Sequence, residues 1–164
     1  MSDGDPTATQ PLPVSGGCFV CGRDNLRGLK LRFARCGEHE VRAPCVLDAD
    51  YNGFSARAHG GVVASLLDEA MGWAAVLAAG NFTYTVELNL RYRLPVPIGE
   101  PLEVRGRVVR HTRRITFAEG ELRDAQGEIL ATASGKFMAM ADAESQRVAA
   151  SLLYEPGDWR PAPG

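Results

Sequence analysis

Asp68 and Glu69 stand side by side in the middle of an apolar run, GGVVASLLDEAMGWAAVLAA, that begins at Gly60. A helix apolar nearly all round is a buried helix. A carboxylate inside such packing is costly unless it is paired, hydrogen-bonded or used. Neighbouring residues on a helix differ in azimuth by about 100°. At least one of the two acids must therefore point into the interior or a cleft. His59-Gly60-Gly61 opens the same helix. Glycine there permits close approach of a ligand. The first N–H groups of a helix have no internal partner and carry partial positive charge. They can hold a polarised carbonyl oxygen or a developing oxyanion. A carbonyl-binding helix start with an acid two turns along fits hydrolysis of an acyl group.

Other routes are poorly supplied. No serine sits in a G-x-S-x-G elbow. His39, His59 and His111 are scattered, with no H-x-x-x-H pair. Cys18-x-x-Cys21 is half of a zinc pattern. Cys36 and Cys45 lie nine positions apart and do not complete it, so no metal is expected and the thiols are read as reduced. Arg57, before the helix, and Arg110, Arg113 and Arg114, in the run RHTRR, are candidates to hold the phosphates of a substrate. Solvated surface arginines are the plainer reading of any single one.

These residues need a frame. The helix is expected over 60–79, stopped by Gly80-Asn81. Strands are expected over 30–35, 41–47, 83–93, 101–111, 114–123 and 128–140, with turns at 36–39 and 124–127. In 83–93 the alternation places Val86, Leu88, Leu90 and Tyr92 on one face and Glu87, Asn89, Arg91 and Arg93 on the other. Thr85 falls on the polar face by that count. The strands after the helix read as a meander, since short turns make antiparallel neighbours. One helix against one antiparallel sheet is an α+β architecture, with the sheet curling round the helix. Residues 1–17 read as a disordered leader, 18–141 as the domain with a turn-rich lead-in over 18–29, and 142–164 as a tail with a short helix near 143–153.

The 164 residues suit one domain. Net charge is -2, so neither a nucleic acid nor an anionic membrane is the expected partner. The apolar run is broken by Ser65, Asp68, Glu69 and Gly72 and reads as a poor membrane span; with no signal peptide visible, a cytoplasmic location is expected.

The pattern His59-Gly60-Gly61-x6-Asp68 resembles the signature of the hotdog-fold thioesterase superfamily, in particular its PaaI-like group. Cys18-Phe19-Val20-Cys21-Gly22, Asn25, Gly28-Leu29, the run Thr85 to Tyr92 with Pro95 and Gly99, and Gly127 to Ala131 with Gly135 carry the likeness over residues 18–140. The resemblance implies a hotdog fold, an antiparallel sheet wrapped around one long helix, and hydrolysis of an acyl-CoA or acyl-carrier-protein thioester. It implies Asp68 as base or nucleophile, Gly60 as the carbonyl-polarising N–H, Asn52 as an orienting amide and Thr85 as a holder of the attacking water. His59, Gly61, Glu69, Arg57, Arg113 and Arg114 are expected around the substrate. It implies a dimer with the site between protomers, Asp68 from one and Gly60 and Asn52 from the other, and in some relatives a dimer of dimers. No cofactor is expected other than CoA as part of the substrate. The alternatives are a hotdog dehydratase or hydratase, and a non-catalytic acyl-CoA-binding hotdog protein.

Overall fold

A computed structural model describes residues 9–161. In chain order the elements are β1 (Gln10–Pro11), β2 (Val14–Ser15), β3 (Ala34–Arg35), β4 (Glu40–Val46), α1 (Gly60–Ala79), β5 (Thr83–Tyr92), β6 (Pro101–His111), β7 (Ile115–Asp124), β8 (Ile129–Ala139), α2 (Asp142–Ser151) and β9 (Leu152–Leu153). Seven strands form one sheet in the order β1-β3-β4-β6-β7-β8-β5, and β2 pairs with β9. All pairings are antiparallel. The sheet holds α1 in its concave face, which is the hotdog architecture.

α1 begins and ends where its sequence signals stand. His59 caps it, its Nδ1 accepting from the Gly61 N–H at 2.9 Å. Gly80 closes it in the left-handed conformation at φ 71°. The length and composition of α1 would also suit a membrane span. Here that apolar surface is packed: Leu66, Leu67, Ala70, Met71 and Ala74 are fully buried against the sheet.

The sheet curls tightly because its inner face carries small residues. Gly106, Ala118, Gly120, Ala133 and Gly135 alternate inward on β6, β7 and β8. The closest approach is at Gly106, where a Cβ would lie 2.3 Å from the Ala70 carbonyl oxygen.

Four features differ from the sequence reading. First, the strand expected over 30–35 is regular only at Ala34–Arg35, because Leu31 and Phe33 plunge into the core while Leu31 bonds back to Val20. Second, the leader expected over 1–17 falls partly outside the described residues, but 10–15 are ordered. Leu12 is fully buried, and β1 and β2 pair with β3 and β9. Leu12 and Val14 are short apolar anchors hidden among Pro and Gly. Third, β5 does not meander into β6. The connection 93–100 buries Val96, and Arg93 and Leu94 donate to the Leu130 carbonyl. The chain thus crosses from one edge of the sheet to its interior, and β5 becomes an edge strand beside β8. Fourth, the tail is docked. Its helix spans Asp142–Ser151, and beyond it Asp158 is buried and ion-paired to Arg32.

Candidate functional site

Asp68 sits midway along α1, half-buried, facing the first residues of β5. The Thr85 hydroxyl donates to its Oδ1 at 2.8 Å. Strict alternation would have turned Thr85 outward. The register slips between Thr85 and Glu87, leaving Val86 as the extra residue of a β-bulge. Thr85 is paired with inward-facing Phe137, and Leu88 with Gly135, so both face the helix. One inserted residue thereby re-aims a side chain at the acid. Burial raises the Asp68 carboxyl above its ordinary range, and the Thr85 hydrogen bond opposes that rise. A half-desolvated carboxylate held by one hydroxyl is a stronger base than a free one. It remains reachable from a hollow of about 320 Å³ whose walls include Thr85, Trp73, Phe82 and Phe137. Trp73 and Phe82 meet edge to face at 5.9 Å, closing its apolar side.

Glu69 lines the same hollow beside the lead-in turn. One step round the helix, it meets the lead-in, where Cys18 Sγ lies 3.6 and 3.7 Å from its two oxygens. Burial pushes the Glu69 carboxyl up to about 7. Cys18 is held well below an ordinary thiol, chiefly by the hydrogen bond from Cys21 and further by backbone N–H groups. Sequence reasoning placed Glu69 near the substrate and left its partner unnamed. It read Cys18 and Cys21 without a third donor. Cys36 lies on the β3–β4 turn and Cys45 on β4, apart from this pair.

The helix start forms a second focus. His59 and Gly61 are spent on each other through the cap. Val62 and Val63 donate to the His59 carbonyl. Among the described residues, none accepts from the Gly60 N–H. The Tyr92 hydroxyl donates to the Gly60 carbonyl at 2.8 Å and fixes the first turn from the end of β5. Tyr92 was counted among the inward residues of its strand but not singled out. Its place in the apolar alternation hid its polar end. The His59 N–H donates to the Tyr51 carbonyl, and Asn52 pairs with Ala58, so the exposed Asn52 adjoins this start. Arg57 and Arg93 flank it, lining a hollow of about 300 Å³ together with Gly60 and Tyr92.

The two foci lie apart. Asp68 lies eight positions along α1 from Gly60, about 12 Å of helix rise. Arg113 and Arg114 occupy the β6–β7 turn. Ile115, just after it, pairs with Met138, which also pairs with Tyr84 at the start of β5. The other focus touches Tyr92, at the far end of β5, about 26 Å of strand away. Arg110 lies over the Phe117 ring at 3.9 Å and is spent on packing. A further hollow of about 420 Å³ lies on the outer face of the sheet, between Arg105, Arg107, Glu119 and Glu121. It holds neither acid of α1, and Arg107 pairs with Glu119 at 2.6 Å across it.

The acid on the central helix accepts from the Thr85 hydroxyl, and the helix start with its Gly60 N–H forms the other focus. Residues 56–131 match the Thioesterase superfamily. Residues 56–131 thus resemble that superfamily, and the fold is that of its hotdog members. A comparison with curated protein sequences returns no match. Among solved structures, it is similar to a thioesterase superfamily protein at 30% identity, with a TM-score of 0.70. That alignment covers 74% of this chain and 62% of the other, so the chain spans less than two thirds of that relative. The PaaI protein of the E. coli phenylacetic acid degradation operon shares the fold at 18% identity and a TM-score of 0.64, over 69% of this chain and 81% of that one. A Streptococcus mutans protein solved bound to acetyl CoA does so at 16% identity and a TM-score of 0.63, over 68% and 89%.

Proposed function

We propose that the protein hydrolyses the thioester of an acyl-CoA or acyl-carrier protein, with Asp68 as the catalytic carboxylate. The observation that carries this reading is the Thr85–Asp68 hydrogen bond at the mouth of an aromatic-walled hollow. A thioester carbonyl is open to attack by water. Asp68 takes a proton from that water as it adds, or adds itself as the nucleophile. Negative charge then develops on the carbonyl oxygen and needs a donor, which the Gly60 N–H supplies. Collapse of the tetrahedral intermediate expels the thiolate, leaving the free acid when water is the nucleophile, or a mixed anhydride on Asp68 that a water then hydrolyses to the acid when Asp68 is. The acyl group lies against Trp73 and Phe82, and Asn52 orients the reacting groups near the helix start. Among solved structures of this fold, the Streptococcus mutans protein was solved with acetyl CoA bound.

The site is built by two chains. Within one protomer Gly60 and Asp68 cannot both reach one carbonyl. The outer edge of β5 carries no partner strand in the protomer, and Val86 and Tyr92 are exposed on it. A two-fold pairing of β5 with a second β5 is antiparallel. It sets the Tyr92 end of one chain, with Gly60, Asn52 and Arg57, against the Thr85 end of the other, with Asp68, Arg113 and Arg114. Acid, oxyanion donor and cationic side chains then converge on one substrate, the arginines taking the nucleotide phosphates of CoA. A dimer of such dimers is a further assembly open to the same chain.

Two results are expected. Thr85→Val should lower kcat/KM on an acyl-CoA by about 10- to 100-fold, the worth of a hydrogen bond to a charged group. Thr85→Ser should restore most of it, and unchanged activity in the valine variant would remove Thr85 from the site. The second concerns the two-chain site. Gly60→Pro deletes the N–H at a helix position that tolerates proline. Co-expressed with Asp68→Asn, it should yield mixed dimers with one intact site, and so activity that neither variant shows alone. No recovery in verified mixed dimers would place both groups in one chain.

A further inference from the structure

Cys18, Cys21 and Glu69 bring one donor atom each to within 4.8 Å of one another. They come from two distant parts of the chain, the lead-in turn and the middle of α1. We propose that they form a binding site for a thiophilic divalent cation of the zinc class, with its fourth position open to the hollow that Asp68 and Thr85 also line.

The geometry supports a metal more than a simple contact. Zinc sits about 2.3 Å from a thiolate and about 2.1 Å from a carboxylate oxygen, so tetrahedral ligation sets sulfur and oxygen about 3.6 Å apart. Cys18 Sγ lies 3.6 and 3.7 Å from the Glu69 oxygens. The turn is already wound around the first sulfur. The backbone N–H groups of Val20 and Cys21 point at Cys18 Sγ at 3.3 and 3.5 Å, as donors that orient and stabilise a ligating thiolate. Gly22 donates to the Cys18 carbonyl, and the turn is too tight there for a side chain. A Cβ on Gly22 would meet the Cys18 carbonyl oxygen at 2.3 Å and the Gly16 carbonyl oxygen at 2.6 Å. The C-x-x-C-G sequence is thus wound as a knuckle, with its two sulfurs on the side that faces α1. A soft cation suits two sulfurs and one oxygen, where magnesium or calcium would need oxygens throughout. Bound, it would clip residues 18–22 to α1 one residue from Asp68. This site stands independently of the thioesterase reading, since its donors take no part in the hydrolysis described above.

The full chain, kept reduced, should take up one equivalent of cobalt(II). Uptake should bring thiolate-to-cobalt charge-transfer absorption and the intense visible bands of a tetrahedral ion, and zinc should displace them. Cys18→Ser and Cys21→Ser should each abolish the charge-transfer band at unchanged circular dichroism. Cys36→Ser should leave it intact. Glu69→Gln should keep thiolate absorption but weaken affinity at least about tenfold, the low end of what even outer-shell changes cost. Absence of the band in the reduced wild-type protein would overturn the site. So would equal binding by the Cys18→Ser variant, or loss of the band in the Cys36→Ser variant.

Discussion

Asp68→Asn should lower kcat/KM on a thioester substrate by about 10²- to 10⁴-fold, the usual contribution of a positioned base. The substitution keeps the shape of the side chain and an oxygen to accept from Thr85, now at 2.8 Å. It removes only the ability to take a proton or to attack. Asp68 is half-buried and, among the described residues, has no cationic partner, so neutralising it orphans no opposite charge there. Thermal stability and assembly should therefore stay near those of the wild type, and the loss should appear in turnover. Steady-state kinetics beside a melting curve separates the two. A variant that melts early as well as turning over slowly would make Asp68 a structural residue instead.

Gly106→Ala should destabilise the fold strongly. The added carbon would lie 2.3 Å from the Ala70 oxygen, 2.4 Å from its carbonyl carbon and 2.8 Å from the Met71 nitrogen. All three are backbone atoms of the central helix, so no side chain can swing aside. Overpacking a core costs about 1–3 kcal/mol and occasionally more, and a clash of backbone on backbone belongs at the upper end. At about 2–4 °C per kcal/mol for a chain of this size, the melting temperature should drop by roughly 10 °C. Gly17→Ala is the matched control, because a Cβ there meets nothing within 4 Å. It should change the melting temperature little. Equal melting of the two variants would show that the sheet and helix are not in the tight contact described.

The central helix was legible because its signals were redundant. A capping residue, an apolar run and a terminal Gly-Asn agreed, and the helix spans Gly60–Ala79 as read. The long strands after it were legible by alternation and turn chemistry. Their order in the sheet was not. Nothing local in Leu94-Pro95-Val96-Pro97 says that this link crosses the sheet, and the meander reading gave β5 the wrong neighbour. The same limit touched the site. Alternation is a count, and a bulge changes the count by one. Thr85 was assigned by resemblance and placed on the wrong face by parity; the slip at Val86 reconciles the two. Glu69 was visible as a buried acid, but its partner Cys18 is 51 positions away, beyond any periodicity. Leu12 and Val14 were lost among prolines and glycines, where composition outweighed two anchoring side chains.

Cleavage of thioesters by this chain is tested most directly by release of free thiol from a panel of acyl-CoAs, short, long and aromatic, by the purified protein. Enzyme-dependent thiol release is expected from at least one member of the panel, with stoichiometric free acid. Binding of an acyl-CoA with no thiol released from any of them would contradict it, and would leave a hotdog protein that holds acyl groups without cutting them.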